Sequence, residues 1–254
     1  MWYVPLLVLV LCLFGCNQDD LMRELSSPEG EAYLKTQVTR LKAGQFEAIE
    51  KDADPTIKTP ELRSILEKMA SFIPPEDPIS VKLVGVQKNI SPNETVINTT
   101  MEYAYKGKWL LINVVSQEKG GAKTITGFNV VPEAQSLEEQ NKFVLRGKSP
   151  LHYLVFAGAL FALAVTLIAL LLCLRMKMNR PKWRWVLFIL VGFGNLSINW
   201  TTGQWNFAPL SVLLFSAGAV GQLYAPWTVS MALPVGAMTF LLKRKSLEIT
   251  EPES

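Results

Sequence analysis

Acidic residues are missing from a long part of this 254-residue chain, because residues 151–242 contain neither Asp nor Glu. The only five Lys and Arg residues of that stretch lie between Arg175 and Arg184. Soluble domains carry charged residues over most of their surface, so this composition excludes a soluble domain there. The sequence therefore predicts a soluble N-terminal half and a membrane-embedded C-terminal half with one charged loop in water.

Cysteine and histidine are also scarce. Cys12 and Cys16 lie near the N-terminus, and Cys173 lies in an apolar run. Residues 17–150 contain neither Cys nor His, which excludes a disulfide framework and an ordinary zinc site in that half. No nucleophile lies beside a base in the sequence, so we expect no enzyme, no metal and no cofactor.

Charge is balanced in the soluble half, where 17 Lys and Arg face 19 Asp and Glu. No basic run indicates a nucleic-acid partner. Asp52 and Asp54 are two positions apart and predict a solvated turn rather than a cation site. A pocket uniting them with Glu102 would instead indicate an enzyme that uses carboxylates.

The N-terminus carries an apolar run from Leu6 to Phe14. At about ten residues it is too short to cross a membrane core of roughly 30 Å, and it predicts a signal peptide over residues 1–15. The run Leu13-Phe14-Gly15-Cys16 resembles the lipobox of bacterial lipoproteins. That resemblance implies that Cys16 is lipidated; an ordinary secretory signal is the alternative.

Residues 16–30 are expected to be a tether, and the first helix signal lies near its end. Ser-Pro-Glu at 27–29 and Thr-Pro-Glu at 59–61 each combine an N-cap, a proline and an acid, which is typical of a helix start. Residues 46–49 predict a short helical turn between the two helices. After these helices the apolar residues alternate with polar ones, which predicts strands at residues 79–88, 94–105, 108–117 and 123–131. Helices followed by an antiparallel meander predict an α+β domain over residues 31–135, with a curled sheet over the helices.

This order of elements resembles the nuclear-transport-factor-like, or cystatin-like, cone fold. The resemblance rests on residues 33–46, which end in Ala43-Gly44-Gln45-Phe46, and on residues 107–114, where a hairpin leads into a long strand. Such domains hold ligands between sheet and helices, which implies a small apolar ligand here. The aromatic residues expected to line that site are Phe46, Tyr103, Tyr105 and Trp109. A plain core role is the alternative.

A linker follows at residues 136–150. Its Ser136-Leu137-Glu138-Glu139 run is a capping box and predicts an amphipathic helix reaching Leu145. His152 lies at the expected membrane surface, where a neutral interfacial imidazole is the interpretation we favour over a functional group.

The C-terminal half predicts an all-α transmembrane bundle over residues 151–242, with spans at about 151–174, 185–199 and 224–242. Residues 207–222 are short and broken by Pro and Gly, so they predict a re-entrant element, an interfacial element or a fourth span. Tryptophans near the expected span ends predict contacts with the membrane interface. They are Trp183, Trp185, Trp200 and Trp205.

Orientation follows from the basic residues. The loop with Arg175 and Arg184 favours the cytoplasm, and three spans place the tail, residues 243–254, there too. Small-residue spacings, Gly158 with Ala162 and Ala232 with Gly236, predict close helix packing.

Taken whole, the chain resembles bacterial membrane proteins that join a lipoprotein-type leader, a cone-fold domain and a few C-terminal spans. No functional residue is carried over from that resemblance. We expect an inner-membrane protein with an extracytoplasmic domain that binds a small apolar ligand or an envelope protein partner without catalysis. The alternative is a structural or assembly subunit of a membrane protein complex. The expected partners are the lipid bilayer and another membrane protein, not nucleic acid.

Overall fold

The computed structural model describes residues 28–178, 181–222 and 224–248. The chain divides into two compact units, here called the N-unit, which ends at Gln140, and the C-unit, which begins at Asn141. Each unit combines helices with an antiparallel sheet, so the fold is α+β. The predicted signal peptide and Cys16 lie outside the described residues.

Three helices open the N-unit: α1 (Pro28–Lys42), α2 (Phe46–Asp52) and α3 (Leu62–Phe72). Helix α1 buries Leu34, Val38 and Leu41, which share one face because they recur at i, i+4 and i+7. Two residues after the end of this helix lies Gly44, whose φ of 69° is a left-handed conformation that favours glycine and terminates a helix. Helix α1 begins at the predicted Pro28, and the short helix between the two is present. Helix α3 begins at Leu62, two residues after the predicted Pro60, and its N-cap is Glu61 rather than Thr59.

Four strands complete the N-unit: β1 (Ser80–Ile90), β2 (Glu94–Tyr105), β3 (Lys108–Lys119) and β4 (Ala122–Glu133). They pair in sequence order as an antiparallel meander, and every predicted strand end agrees within two residues. The turn between β3 and β4 is Gly120-Gly121, with φ of 59° and 79°, as a two-residue hairpin of type I′ requires.

The core of the N-unit lies between its sheet and its helices. Residues two apart along β2 and β3 point to the same face, and those that face the helices are almost wholly buried. They are Met101, Tyr103, Tyr105, Leu110, Ile112 and Val114. Burying one large apolar side chain stabilises a fold by about 1.5–3 kcal/mol, so this layer is a main source of stability for the unit.

The linker helix is shorter than predicted. It is α4 (Leu137–Gln140), and the capping bond from the Glu139 N–H to the Ser136 hydroxyl is present at 3.3 Å. The chain leaves the helix at Asn141 because that side chain is bound within the C-unit. It donates to the Tyr224 carbonyl at 2.9 Å and accepts from the Thr201 hydroxyl at 3.0 Å. These contacts override the local preference for a helix to Leu145.

The C-unit has three helices and a second sheet. The helices are α5 (Pro150–Arg175), α6 (Lys182–Leu190) and α7 (Val235–Leu247). The strands are β5 (Val191–Asn199), β6 (Trp205–Leu214), β7 (Ala217–Val220) and β8 (Thr228–Leu233), in the order β6-β5-β8-β7. Among the described residues only α5 is long and apolar enough to cross a membrane.

The prediction of an all-α transmembrane bundle is therefore wrong for the described residues. The expected span at 185–199 is divided between α6 and β5, and the expected span at 224–242 is divided between β8 and α7. Residues 207–220 belong to β6, to β7 and to the turn between them, so they are not a fourth helical span. Hydropathy does not distinguish a buried strand from a buried helix, and short apolar runs are where the two are confused.

Two glycines determine how β5 bends and packs. Gly194 has a φ of 73°, and it lies where the register between β5 and β6 shifts. A Cβ on Gly192 would come within 2.8 Å of the Ser216 Cα, so only glycine fits that contact. Ser216 belongs to the two-residue turn that joins β6 to β7, which are the opposite edges of the sheet. The sheet is therefore curled until its edges meet at that turn.

Helix α5 has small residues inside and large ones outside. Its buried residues recur in steps of three and four, and most are small: His152, Val155, Ala159, Ala162, Thr166, Ala169 and Cys173. The opposite face exposes large apolar side chains, among them Leu154, Leu160, Leu167, Ile168 and Leu171. Small residues at the packed face and large apolar residues facing outward are typical of helices in a lipid environment.

Candidate functional site

The C-unit contains a cavity of about 620 Å³ between α5, the curled sheet and the start of α7. Pockets for small ligands usually measure about 300–1,000 Å³, so this volume is in the range of a binding site. The space is lined in part by residues without bulky side chains, Ala162 of α5 and Gly194 of the sheet. Gly158 also lines it, and there the helix and the sheet are in close contact because the Met231 sulfur lies against this glycine.

The lining of the cavity is apolar except at one residue. Phe193, Phe207 and Met231 provide large apolar surfaces, and Asn195 is the one polar side chain among the described lining residues. The Asn195 Oδ1 atom is buried without a hydrogen-bond partner. An unsatisfied buried acceptor costs about 1–3 kcal/mol, and an O–H or N–H donor that reached this oxygen would recover that cost.

The mouth of the cavity is also apolar. Phe161 is 69% exposed, Leu233 is 67% exposed, and Phe207 is 57% exposed. Phe161 belongs to α5, whose outer face is the apolar surface described above. A ligand that entered here would meet apolar side chains and no charged residue among the described lining residues.

Met231 gives the cavity a deformable wall. Its sulfur lies against Gly158, so close that a Cβ on this glycine would overlap it. Methionine has three rotatable bonds and a polarizable sulfur, so it adapts to the shape of a ligand. The backbone at Gly158 is therefore a rigid part of the cavity wall, and the Met231 side chain is a part that can change its rotamer.

Trp200 is the centre of a buried cluster at the start of α5. Its indole N–H donates to the Val144 carbonyl at 2.8 Å, and its own carbonyl accepts from the Lys148 ammonium group at 2.6 Å. Phe143 stacks on its ring at 4.6 Å between centroids. The His152 Nδ1 atom lies 2.8 Å from the Ser149 hydroxyl oxygen, while Nε2 is buried without a partner.

The four predicted interface tryptophans therefore fall in different environments. Trp183 and Trp205 are each 61% exposed, as an interfacial role requires. Trp185 is partly buried and packs edge-on against Phe240 at 5.7 Å. Trp200 is 1% exposed and is a core residue. Aromatic rings surround it, and its indole N–H, its backbone N–H and its backbone carbonyl are all hydrogen-bonded inside the C-unit.

The predicted ligand residues of the N-unit lie in or beside its core. Tyr103 and Tyr105 are buried, and Phe46 packs against the same core. Burial raises the pKa of the Tyr103 phenol, and burial followed by the nearby Glu76 and Asp77 charges raises the pKa of Tyr105. Trp109 is half-buried and pairs with Ala104 and Glu133 across the sheet.

The three acids considered for catalysis have separate partners. Asp52 accepts from Arg40 at 2.6 Å and from Gln37 at 3.3 Å. Asp54 accepts from both the backbone and the hydroxyl of Thr56, at 2.9 and 2.7 Å. Glu102 is buried and accepts the Leu137 N–H at 2.6 Å.

None of these three carboxylates lines the cavity of the C-unit. The hydrogen bonds of Asp54 lower the pKa of its carboxyl, as expected for a turn-forming aspartate. Within the described parts of the chain, no group of three or more His, Cys, Asp and Glu residues is placed to hold a metal ion. Each acid has a local structural role.

Sequence reasoning missed the cavity, although part of its signal was visible. Three of the small residues singled out for helix packing, Gly158, Ala162 and Ala232, line the cavity. Their spacing predicted close contact between helices. The element that faces Gly158 and Ala162 is a sheet, so the close contact at Gly158 is with the Met231 side chain of that sheet, and the cavity lies beside it.

No protein-family model matches the chain, and neither a curated protein nor a solved structure is significantly similar to it. The function is therefore argued from the geometry of the cavity itself.

Proposed function

We propose that this protein is a membrane-embedded binding module whose C-unit cavity holds an apolar chain taken from the bilayer, without catalysis. The ligand class is a long hydrocarbon chain with one hydrogen-bond donor near an end. The observation that carries the proposal is a cavity of about 620 Å³ that is apolar except for Asn195 and opens onto an apolar surface.

Helix α5 supports a place in the membrane. Its 26 residues extend for about 39 Å at 1.5 Å per residue, and a membrane core of roughly 30 Å needs about 20 residues. Its outer face carries the large apolar side chains. The sheet packs on the first half of α5, which includes Val155 and Ala159. That half lies near one membrane surface in this proposal, because the unpaired edges of a sheet need water or protein there.

The orientation rests on two groups of basic residues at one end of the C-unit. Met178 after α5 forms a β-bridge with Glu248 after α7, which brings the ends of these helices together. Arg175 and the run 243–245 are therefore on the same side, and basic loops favour the cytoplasm. We propose the inner membrane of a bacterium, with the N-unit outside the cytoplasm and Cys16 as a lipid anchor.

The N-unit is proposed to be a domain of the cone-fold type. Its support is the antiparallel meander of four strands packed on three helices. Its buried tyrosines support a structural role for this unit rather than a second apolar site.

Filling the cavity tests the proposal. Ala162 lines the cavity and is 3% exposed, while Ala164 is exposed on the same helix. We expect Ala162→Phe to weaken binding of 1-hexadecanol to the detergent-solubilised protein by at least about tenfold, which corresponds to 1.4 kcal/mol. Ala164→Phe adds the same bulk outside the cavity and should bind as the unmodified protein does. Equal binding by both variants would contradict the proposal.

An assembly subunit is the second candidate, and edge strand β6 favours it. Outward-facing Phe207, Leu210, Val212 and Leu214 make this edge strand an apolar surface. Edge strands with such side chains pair readily with a strand of another chain. Purification in a mild detergent separates the two candidates: a stoichiometric membrane partner would support the assembly role, and an isolated protein with bound lipid would support the binding module.

A further inference from the structure

Three chain segments with basic residues converge at one end of the C-unit. The end of α5, the start of α6 and the end of α7 pack around a buried cluster that includes Cys173, Ile189 and Phe240. The basic residues placed there are Arg175, Lys182, Arg184, Lys243, Arg244 and Lys245. Glu248 is the one acid in the described parts of these segments. The local charge is therefore strongly positive.

A cleft of about 270 Å³ lies at this end, beside α6. Pro181, Arg184, Trp185 and Phe188 line it. One lining residue is cationic and the other three are apolar. The cation suits an anionic head of a ligand, and the apolar side chains suit an apolar body. Trp183 stands next to the cleft, is 61% exposed, and has the Arg184 guanidinium 5.5 Å from its ring centre.

We propose that this cleft binds the headgroup of an anionic glycerophospholipid of the membrane. Arg184 contacts the phosphate, because a guanidinium group matches two phosphate oxygens with parallel N–H bonds. Trp185 and Phe188 contact the glycerol and the first methylene groups. The remaining basic residues of this end select an anionic headgroup over a zwitterionic one, because they would repel the cationic part of the latter.

This site is separate from the apolar cavity; it rests on the proposed place of the C-unit in a membrane but not on a ligand in the cavity. The cavity is lined by α5, the sheet and the start of α7, whereas the cleft is lined by Pro181 and one face of α6. The lipid in the cleft is recognised by its head, and the ligand in the cavity by its chain.

The test measures lipid binding to the full-length protein in detergent by native mass spectrometry. The probes are short-chain phosphatidylglycerol, phosphatidylcholine with the same chains, and inorganic phosphate. We expect phosphatidylglycerol to bind at least about tenfold more tightly than phosphatidylcholine, and added salt should reduce this preference. Equal affinities for the two lipids, or inorganic phosphate that binds as tightly as the lipid, would overturn the proposal.

The decisive variant is Arg184→Gln, with Arg146→Gln as its control. Arg146 precedes α5 at its opposite end and is exposed, so its substitution removes one charge from the same unit away from the cleft. Loss of a charge-assisted hydrogen bond predicts about tenfold weaker binding of phosphatidylglycerol for Arg184→Gln. The control should bind as the unmodified protein does.

Two further variants keep the test decisive. If Arg184→Gln does not fold, the triple variant Lys243→Gln, Arg244→Gln and Lys245→Gln should lose most of the preference for phosphatidylglycerol, and a retained preference would refute the proposal. Ala162→Phe should leave this preference unchanged, so failure of the cleft and failure of the cavity give different results.

Discussion

The imidazole ring of His152 lies edge-on to the indole ring of Trp200, with ring centroids 5.2 Å apart and ring planes at 87°. His152 is in the first turn of α5, and Trp200 follows β5. The two residues attach the helix to the sheet by buried contacts. The backbone of Trp200 also donates to the Trp227 carbonyl at 2.7 Å, which fixes the loop before β8.

Truncating Trp200 should therefore destabilise the C-unit strongly. We expect Trp200→Ala to lower the free energy of unfolding by about 3–5 kcal/mol, as for other buried aromatic residues, and Trp205→Ala to change it by less than about 0.5 kcal/mol. In a Cys12→Ser and Cys16→Ser background, buried Cys173 reports the unfolding through its reaction with a thiol-reactive fluorophore during heating. Equal effects of the two substitutions would show that Trp200 is not part of the core.

Gly236 should not tolerate a side chain. A Cβ at this position would overlap the carbonyl oxygen of Phe188, where α6 and α7 come together. We expect Gly236→Ala to cost about 1–3 kcal/mol because the backbones must move apart. In Gly218→Ala the new Cβ meets only the Leu213 Cδ1 atom at an ordinary 3.7 Å, so this variant is the control. The same thiol assay measures both, and a Gly236→Ala protein as stable as the control would contradict the close approach.

The Asn195 carbonyl oxygen should select ligands that carry a donor. 1-Hexadecanol has a hydroxyl donor, and its methyl ether does not. A net hydrogen bond of about 1 kcal/mol predicts roughly fivefold tighter binding of the alcohol. We expect Asn195→Leu to remove this preference and to leave the affinity for the ether close to that of the unmodified protein. Competition binding in detergent measures both ligands, and a preference that survives the substitution would exclude Asn195 as the partner.

The N-unit should lose stability at high pH because of its buried tyrosines. Burial raises the pKa of Tyr103 above its usual value of 10.0, so the folded state favours the neutral phenol. Stability is then complete below pH 10 and falls as the pH rises above it, because the unfolded chain ionises first. Tyr103→Phe should make this fall shallower. Urea unfolding followed by circular dichroism at several alkaline pH values measures it, and an unchanged slope would disprove the role of Tyr103.

The N-unit was predictable from local signals. Helices α1 and α3 begin at or just after a proline and acid pair, and the strands alternate and are separated by glycine turns such as Gly120-Gly121. These signals act over a few residues and agree with the final packing, whereas the tertiary structure overrides the local signal at the end of α4. The role of Tyr103 and Tyr105 required the structure, because an aromatic face predicts a core and a pocket equally well.

The C-unit was predicted only in part. Its composition indicated an apolar environment, and helix α5 agrees with the first predicted span. The sheet was missed because β5 directly follows α6 and β8 directly precedes α7. In the sequence, each strand and its adjoining helix form one continuous apolar run, which resembles a single membrane span. The cavity depends on which element faces Gly158 and Ala162, and that is a long-range relationship that no local pattern contains.

Photo-crosslinking tests the central claim most directly. The full-length protein in detergent is irradiated with a long-chain alcohol that carries a diazirine in the middle of its chain, and the labelled peptides are identified by mass spectrometry. A chain held in the cavity should label residues 158–162, 193–196 and 231–238, and an excess of 1-hexadecanol should suppress that labelling. Labelling spread evenly over the exposed face of α5 at Leu167, Ile168 and Leu171, without competition, would contradict a specific site.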